Sequence, residues 1–161
     1  MTPNRFNWKL TGLAAGIVLG ALGVTASYSQ DVAAGQALVD VRIKGLKAAG
    51  GGMQFLSQYD GSDQGAAAVA AKAIDDAASG LTVWFPEGSG PGGAGVVKTR
   101  AKPEIWANRA DFEAKIKAMD DASGVLTNAV AGNDPAVIKV ALGDVGKSCK
   151  ACHETYRAPE E

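Results

Sequence analysis

Apolar side chains recur along most of this chain at helical rather than strand spacing. From Asp31 to Tyr59, Leu38, Val41, Leu46, Ala49, Met53 and Leu56 follow one another at intervals of three to five residues, near the period of an amphipathic helix. Gly50, Gly51 and Gly52 interrupt that stripe, and each costs about 1 kcal/mol in a helix interior relative to Ala. Either the helix bends there, or it runs on because another backbone or a bound group approaches closely; the second outcome is the expectation.

The segment from Asp63 to about Val83 is dominated by alanine, which favours helix and makes a thin rod able to pack closely. It ends at Ser79-Gly80 or runs on toward Trp84-Phe85, and Pro86 stops it. Residues 86–103 read as one long glycine-rich loop. Its glycines lack the G-x-G-x-x-G order and follow no strand, which argues against phosphate binding. Lys98, Arg100 and Lys102 at its end are either solvated or directed at an anionic group.

Pro103-Glu104 opens a third helix, with Ile105, Phe112, Ile116, Met119, Leu126 and Val130 as its stripe and Gly132 as its stop. Asp134-Pro135 then supplies an N-cap and a proline at the first helical position. The fourth helix carries Ile138, Ala141, Leu142, Val145, Cys149, Cys152 and Tyr156 on one side, and Pro159 ends it. Four helices with short connections and one longer loop predict an all-α chain, an antiparallel four-helix bundle whose cofactor sites lie between facing helices.

At 161 residues the chain is one domain. Residues 1–29 contain Arg5 and Lys9, no acid, and an uncharged run from Leu10 to Ala26, the layout of a secretory signal cleaved after Ala26 or Ser29. The run has 17 residues, six of them Gly or Thr, which is short and weak for a membrane anchor, the alternative reading. Without residues 1–29 the chain keeps 14 basic and 17 acidic side chains, a net charge of −3 that offers nothing to nucleic acid. Residues 30–161 are the expected mature bundle.

Both cysteines and the only histidine lie within five residues, Cys149-Lys150-Ala151-Cys152-His153. C-x-x-C-H is the attachment site of a c-type haem. Two thiols add to the porphyrin vinyl groups as thioethers, and the adjacent imidazole reaches the iron. On a helix, positions i, i+3 and i+4 share a side, so all three groups meet one ligand. A redox C-x-x-C would need a strand-helix-strand setting. A structural zinc site would need a fourth ligand, and no further Cys or His exists. A disulfide would leave His153 without a reason. One covalent haem c is the cofactor expected, and haem c attachment outside the cytoplasm agrees with an exported, periplasmic protein.

The run Val145-Gly-Lys-Ser-Cys-Lys-Ala-Cys-His-Glu-Thr-Tyr-Arg157 resembles the C-terminal haem site of the class II c-type cytochromes, the cytochrome c-prime family. Ala101-Lys-Pro-Glu-Ile-Trp106, Asp111-Phe112-Glu113, and Arg42 with an apolar residue four positions on are similar to the same family, over residues 31–158. The loop over 86–103 is more glycine-rich than the family pattern. The resemblance implies a four-helix bundle, covalent haem c, a periplasmic location and a homodimer. It also implies roles for single residues. Members with Met four residues after the first-helix Arg use its sulfur as a sixth ligand, whereas here that position is Leu46, so a five-coordinate iron is expected. Arg42 would contact a haem propionate, with a solvated arginine as the alternative. Arg157, four residues after His153, would guard the far side of the imidazole, or serve as a C-terminal cation favoured by the helix dipole. Met53, seven residues beyond Leu46, is the alternative sixth ligand; Met119 reads as core.

Two functions follow: binding of small gases such as NO or CO, and electron transfer to a redox partner that the sequence does not name. Distal polarity and access decide between ligand binding and pure electron transfer. No acid–base pair accompanies the motif, so the expectation is not an enzyme.

Overall fold

The computed structural model describes residues 22–160, with side chains from Gly35 onward. The expected secretory signal falls largely outside the described residues. The order is α1 (Leu22–Ser57), α2 (Gln64–Leu81), a single-turn α3 (Glu104–Ala107), α4 (Arg109–Gly132) and α5 (Pro135–Tyr156). Among the described residues no helix is long and apolar enough to cross a membrane.

The boundaries follow from local chemistry. Asp63 caps α2 by accepting from the Ala66 N–H at 2.9 Å. Asp134 caps α5 by accepting from the Ala136 N–H at 2.8 Å, with Pro135 in the first turn, as the sequence predicts. α4 ends in left-handed Asn133 (φ 53°), a conformation that Asn adopts more readily than most residues. The predicted third helix is broken in two at Asn108, whose φ −119°, ψ 48° is not helical. Anchors to the preceding loop hold both sides of the break: the Trp106 indole donates to Pro86 O at 2.8 Å and Arg109 Nη1 to Phe85 O at 2.7 Å.

α1 runs through Gly50, Gly51 and Gly52 without interruption. A methyl at Gly52 would lie 2.5 Å from the Ala70 carbonyl oxygen on α2, so close backbone approach accounts for that glycine, whereas Gly50 and Gly51 face open space. Ala67, Ala70, Ala71, Ala77 and Ala78 are all buried, and the thin helix lies close against α1. The centre is filled by Ile74, Phe112, Leu126, Ile138 and Val145.

One stripe position was misread. Val41 is 54% exposed, and its expected place on the inner face of α1 is taken by Val39 and by Arg42, which is 2% exposed. The true inner stripe is Val39, Arg42, Leu46, Ala49, Gly52 or Met53, and Leu56, a better 3.6-residue period than the purely apolar one. A hydrophobicity count passes over a charged residue on the core face.

Candidate haem-attachment site

α5 carries the site because its apolar stripe continues through the motif. Val145 is buried, Cys149 and Cys152 are half-buried against the core, and Tyr156 closes the row. Burial pushes the Cys149 thiol pKa up, and burial together with the neighbouring Cys149 takes Cys152 to about 11. His153 stands on the rim of this row. Burial, then the charges of Arg157 and Arg100, hold its pKa below the ordinary imidazole value, which favours the neutral ring that ligates a metal.

Across from α5, α1 presents Leu46 and Met53, both half-buried. The Met53 methyl (Cε) lies 3.8 Å from where a Cβ on Gly146 would be. Gly146 precedes His153 by seven residues, about 10 Å along the helix. Since α1 and α5 run antiparallel, seven residues back from Met53 on α1 is Leu46, level with His153. α1 and α5 pack less extensively on each other than α1 on α2 or α4 on α5. Leu46, Met53 and the two thiols therefore form an apolar seam that protein atoms leave part-covered. The donor set of two thiols and one imidazole on one helix, beside an apolar seam, fits a covalently attached haem.

Arg42 is not solvated. Nη1 donates to Trp84 O at 3.4 Å and Ser89 Oγ at 3.3 Å, Nη2 donates to Thr99 Oγ1 at 2.6 Å, and the guanidinium lies 4.6 Å from the centre of the Phe85 ring. These bonds use three of the five N–H groups of an arginine. Sequence reasoning did not find Ser89, Thr99 or Phe85; two hydroxyl residues in a glycine-rich loop were the only available signal.

The end of that loop lies on the other side of His153. Residues 100–102 form a strap along the end of α5, bridged at Ala101 and Arg157. Arg100 donates to Ala158 O at 2.9 Å and pairs with Glu160, and Lys102 Nζ donates to Thr155 O at 3.0 Å, while Lys98 is exposed. Arg100, Lys102, Lys150 and Arg157 line an open cavity of about 640 Å³ with His153. Arg157 is exposed beside the imidazole, its backbone N–H donating to His153 O at 3.2 Å. A second cavity, about 500 Å³, lies at the far end of α1 around Phe55 and Tyr59, away from the thiols.

Two motif segments also meet. The Tyr156 hydroxyl donates to Asp111 Oδ2 at 2.6 Å, and its ring stands edge-on to Phe112, centroids 5.1 Å apart. Burial, then this bond, raises the phenol to about 12, and the same bond, ahead of Lys115, lowers the Asp111 carboxyl.

A family model described as Cytochrome C' matches residues 37–157. The chain belongs to the cytochrome c' family. It is 37% identical over 125 residues to cytochrome c' of Pararhodospirillum photometricum, covering 76% of this chain and 97% of that one. Its fold is similar to a cytochrome c' with an unusual ligand-controlled dimer dissociation (TM-score 0.68, 30% identity, 78% of this chain and 97% of the other). It is also similar to a ferrous variant of the cytochrome c prime of Alcaligenes xylosoxidans with bound NO (TM-score 0.61, 26% identity, 78% and 97% covered). Members of this family bind haem c covalently, and Cys149 and Cys152 stand in C-x-x-C-H order for it.

Proposed function

We propose that this cytochrome c' is an exported, periplasmic haem protein with a five-coordinate iron that binds NO or CO and passes electrons to a redox partner. Cys149 and Cys152 would hold the haem as thioethers, and His153 would ligate its iron. The observation that carries the reading is the register of the α1–α5 seam: Met53 meets Gly146, which supports Leu46, without a lone pair to offer, as the residue level with His153. When bound, the haem iron supplies a one-electron couple and an open coordination position.

The chain's own side chains shape that position. Leu46 would present hydrocarbon to it and offers no hydrogen-bond donor, which would favour NO and CO over stable O₂. Arg157 shields the solvent side of His153. The two N–H groups of Arg42 not engaged by the loop are available to a haem propionate, by charge-assisted bonding. With the thiols and imidazole committed to holding the cofactor, the site binds and transfers electrons rather than turning over a substrate as an enzyme would. The N-terminal charge pattern supports export, and the relative with ligand-controlled dimer dissociation supports a homodimer.

Absorption spectra of the reduced protein with and without CO test this. A high-spin spectrum that changes on adding CO is expected; a low-spin spectrum indifferent to CO would overturn the five-coordinate reading and leave electron transfer alone.

A further inference from the structure

His153 stands in the last turn of α5, where a helix's terminal carbonyls lack partners within it. The strap supplies them from outside. The Lys102 N–H donates to Tyr156 O at 3.0 Å and Lys102 Nζ to Thr155 O at 3.0 Å. Just beyond the helix the Ala158 N–H donates to Arg100 O at 2.8 Å, and Arg100 Nε returns a bond to Ala158 O at 2.9 Å. A single bridge is too short to be stable by itself, since isolated strand pairs are marginal even when longer. Something must hold the strap from its other side.

Thr99 does so. Its Oγ1 accepts from the Ala101 N–H at 3.1 Å and from Arg42 Nη2 at 2.6 Å. Arg42 is itself fixed by Trp84 O, Ser89 and the Phe85 face, in a site 2% exposed. A continuous chain of contacts thus runs from the inner face of α1, through one hydroxyl, to the turn that carries His153.

We propose that Arg42 is a positioning residue for His153, acting through Thr99 and the strap of residues 100–102 that seats the last turn of α5. The proposal rests on His153 being the axial ligand. It places the control of the imidazole on the helix across the seam from α5.

The test uses the haem-bearing protein with Thr99→Val, which removes the shared acceptor but keeps the shape. Amide exchange at Lys102 and Ala158 should accelerate at least ~10-fold as local opening becomes easier. The iron–histidine stretching band of the ferrous protein should shift, and Thr99→Ser should restore both. Gln36→Ala, which unties Val97 from α1 at 2.9 Å without touching Thr99, should leave the band in place. Faster exchange with an unmoved band would overturn the proposal, as would unchanged exchange. Should Thr99→Val not fold, Lys102→Met removes the side-chain bond to Thr155 O and one positive charge while keeping the backbone bond to Tyr156 O, and an unmoved band there overturns it equally. Failure of the underlying reading looks different: the ferrous wild-type protein would show no iron–histidine band at all, while exchange at the two amides still reports the strap.

Discussion

Where α1 meets α2, Ala67, Ala70, Ala71 and Ile74 are buried and a methyl at Gly52 would strike the Ala70 carbonyl. Where α1 meets α5, Leu46, Met53, Cys149 and Cys152 stay half-exposed and the contact is sparse. The same helix therefore has one seam closed by small side chains and backbone, and another faced with larger apolar groups that protein atoms only partly cover. Small residues on both sides let helices approach until nothing else fits. Half-exposed thiols and long apolar chains on a sparsely packed seam suit a flat apolar filler, and a covalently attached haem would be one.

The largest effect should come from removing the filler's tethers. Cys149→Ala combined with Cys152→Ala should release the haem under acid–acetone extraction, and full retention would sink the attachment reading.

Truncations on the two seams should next diverge. Ile74→Ala should cost ~2–5 kcal/mol in denaturant unfolding, whether or not haem is present. Leu46→Ala should approach that range only in the haem-bearing protein and cost clearly less without haem. Equal costs for Leu46→Ala in both forms would mean that the α1–α5 seam needs no filler.

A smaller change in stability accompanies Leu46→Met, less than about 1.5 kcal/mol because the volumes are similar. It should move the iron toward low spin and slow CO binding. If the wild type is already low-spin and Met53→Leu removes that signature, the sixth ligand is Met53.

The gentlest probe is pH, through the Tyr156–Asp111 pair. The Asp111 carboxyl is held below its ordinary 3.8, so its contribution is present above that pH and lost as pH falls through the lower folded value. Tyr156 is raised from 10.0 to about 12, so its contribution is whole below pH 10 and lost as pH rises toward about 12. Tyr156→Phe should flatten both limbs of a stability-against-pH curve; limbs as steep as the wild type's would dissociate this pair from α5.

Much of the site could be read without coordinates because its chemistry is local. Cys149, Cys152 and His153 lie within five residues, and helical spacing alone brings them together. Leu46 was singled out by the resemblance to the cytochrome c' family, which compares the residue four positions after Arg42 within one helix. Arg42's partners were out of reach, because Ser89 and Thr99 lie 47 and 57 residues away in a loop without periodicity. Val41 was misassigned for a related reason: a stripe defined by apolar residues cannot admit an arginine until its buried acceptors are known.

The sequence by itself determined the four long helices, the cap at Asp134, and the C-x-x-C-H motif on the last helix. These depend on propensity, spacing and side-chain chemistry within a few residues. Only the tertiary structure decided that Gly52 is a contact and not a bend, that α1 and α5 meet with Met53 opposite Gly146, and that the glycine-rich loop ends as a strap beneath His153. Those features depend on distances between segments far apart in the chain. Such distances are set by how closely backbones approach and where buried donors find acceptors, quantities that no local pattern encodes.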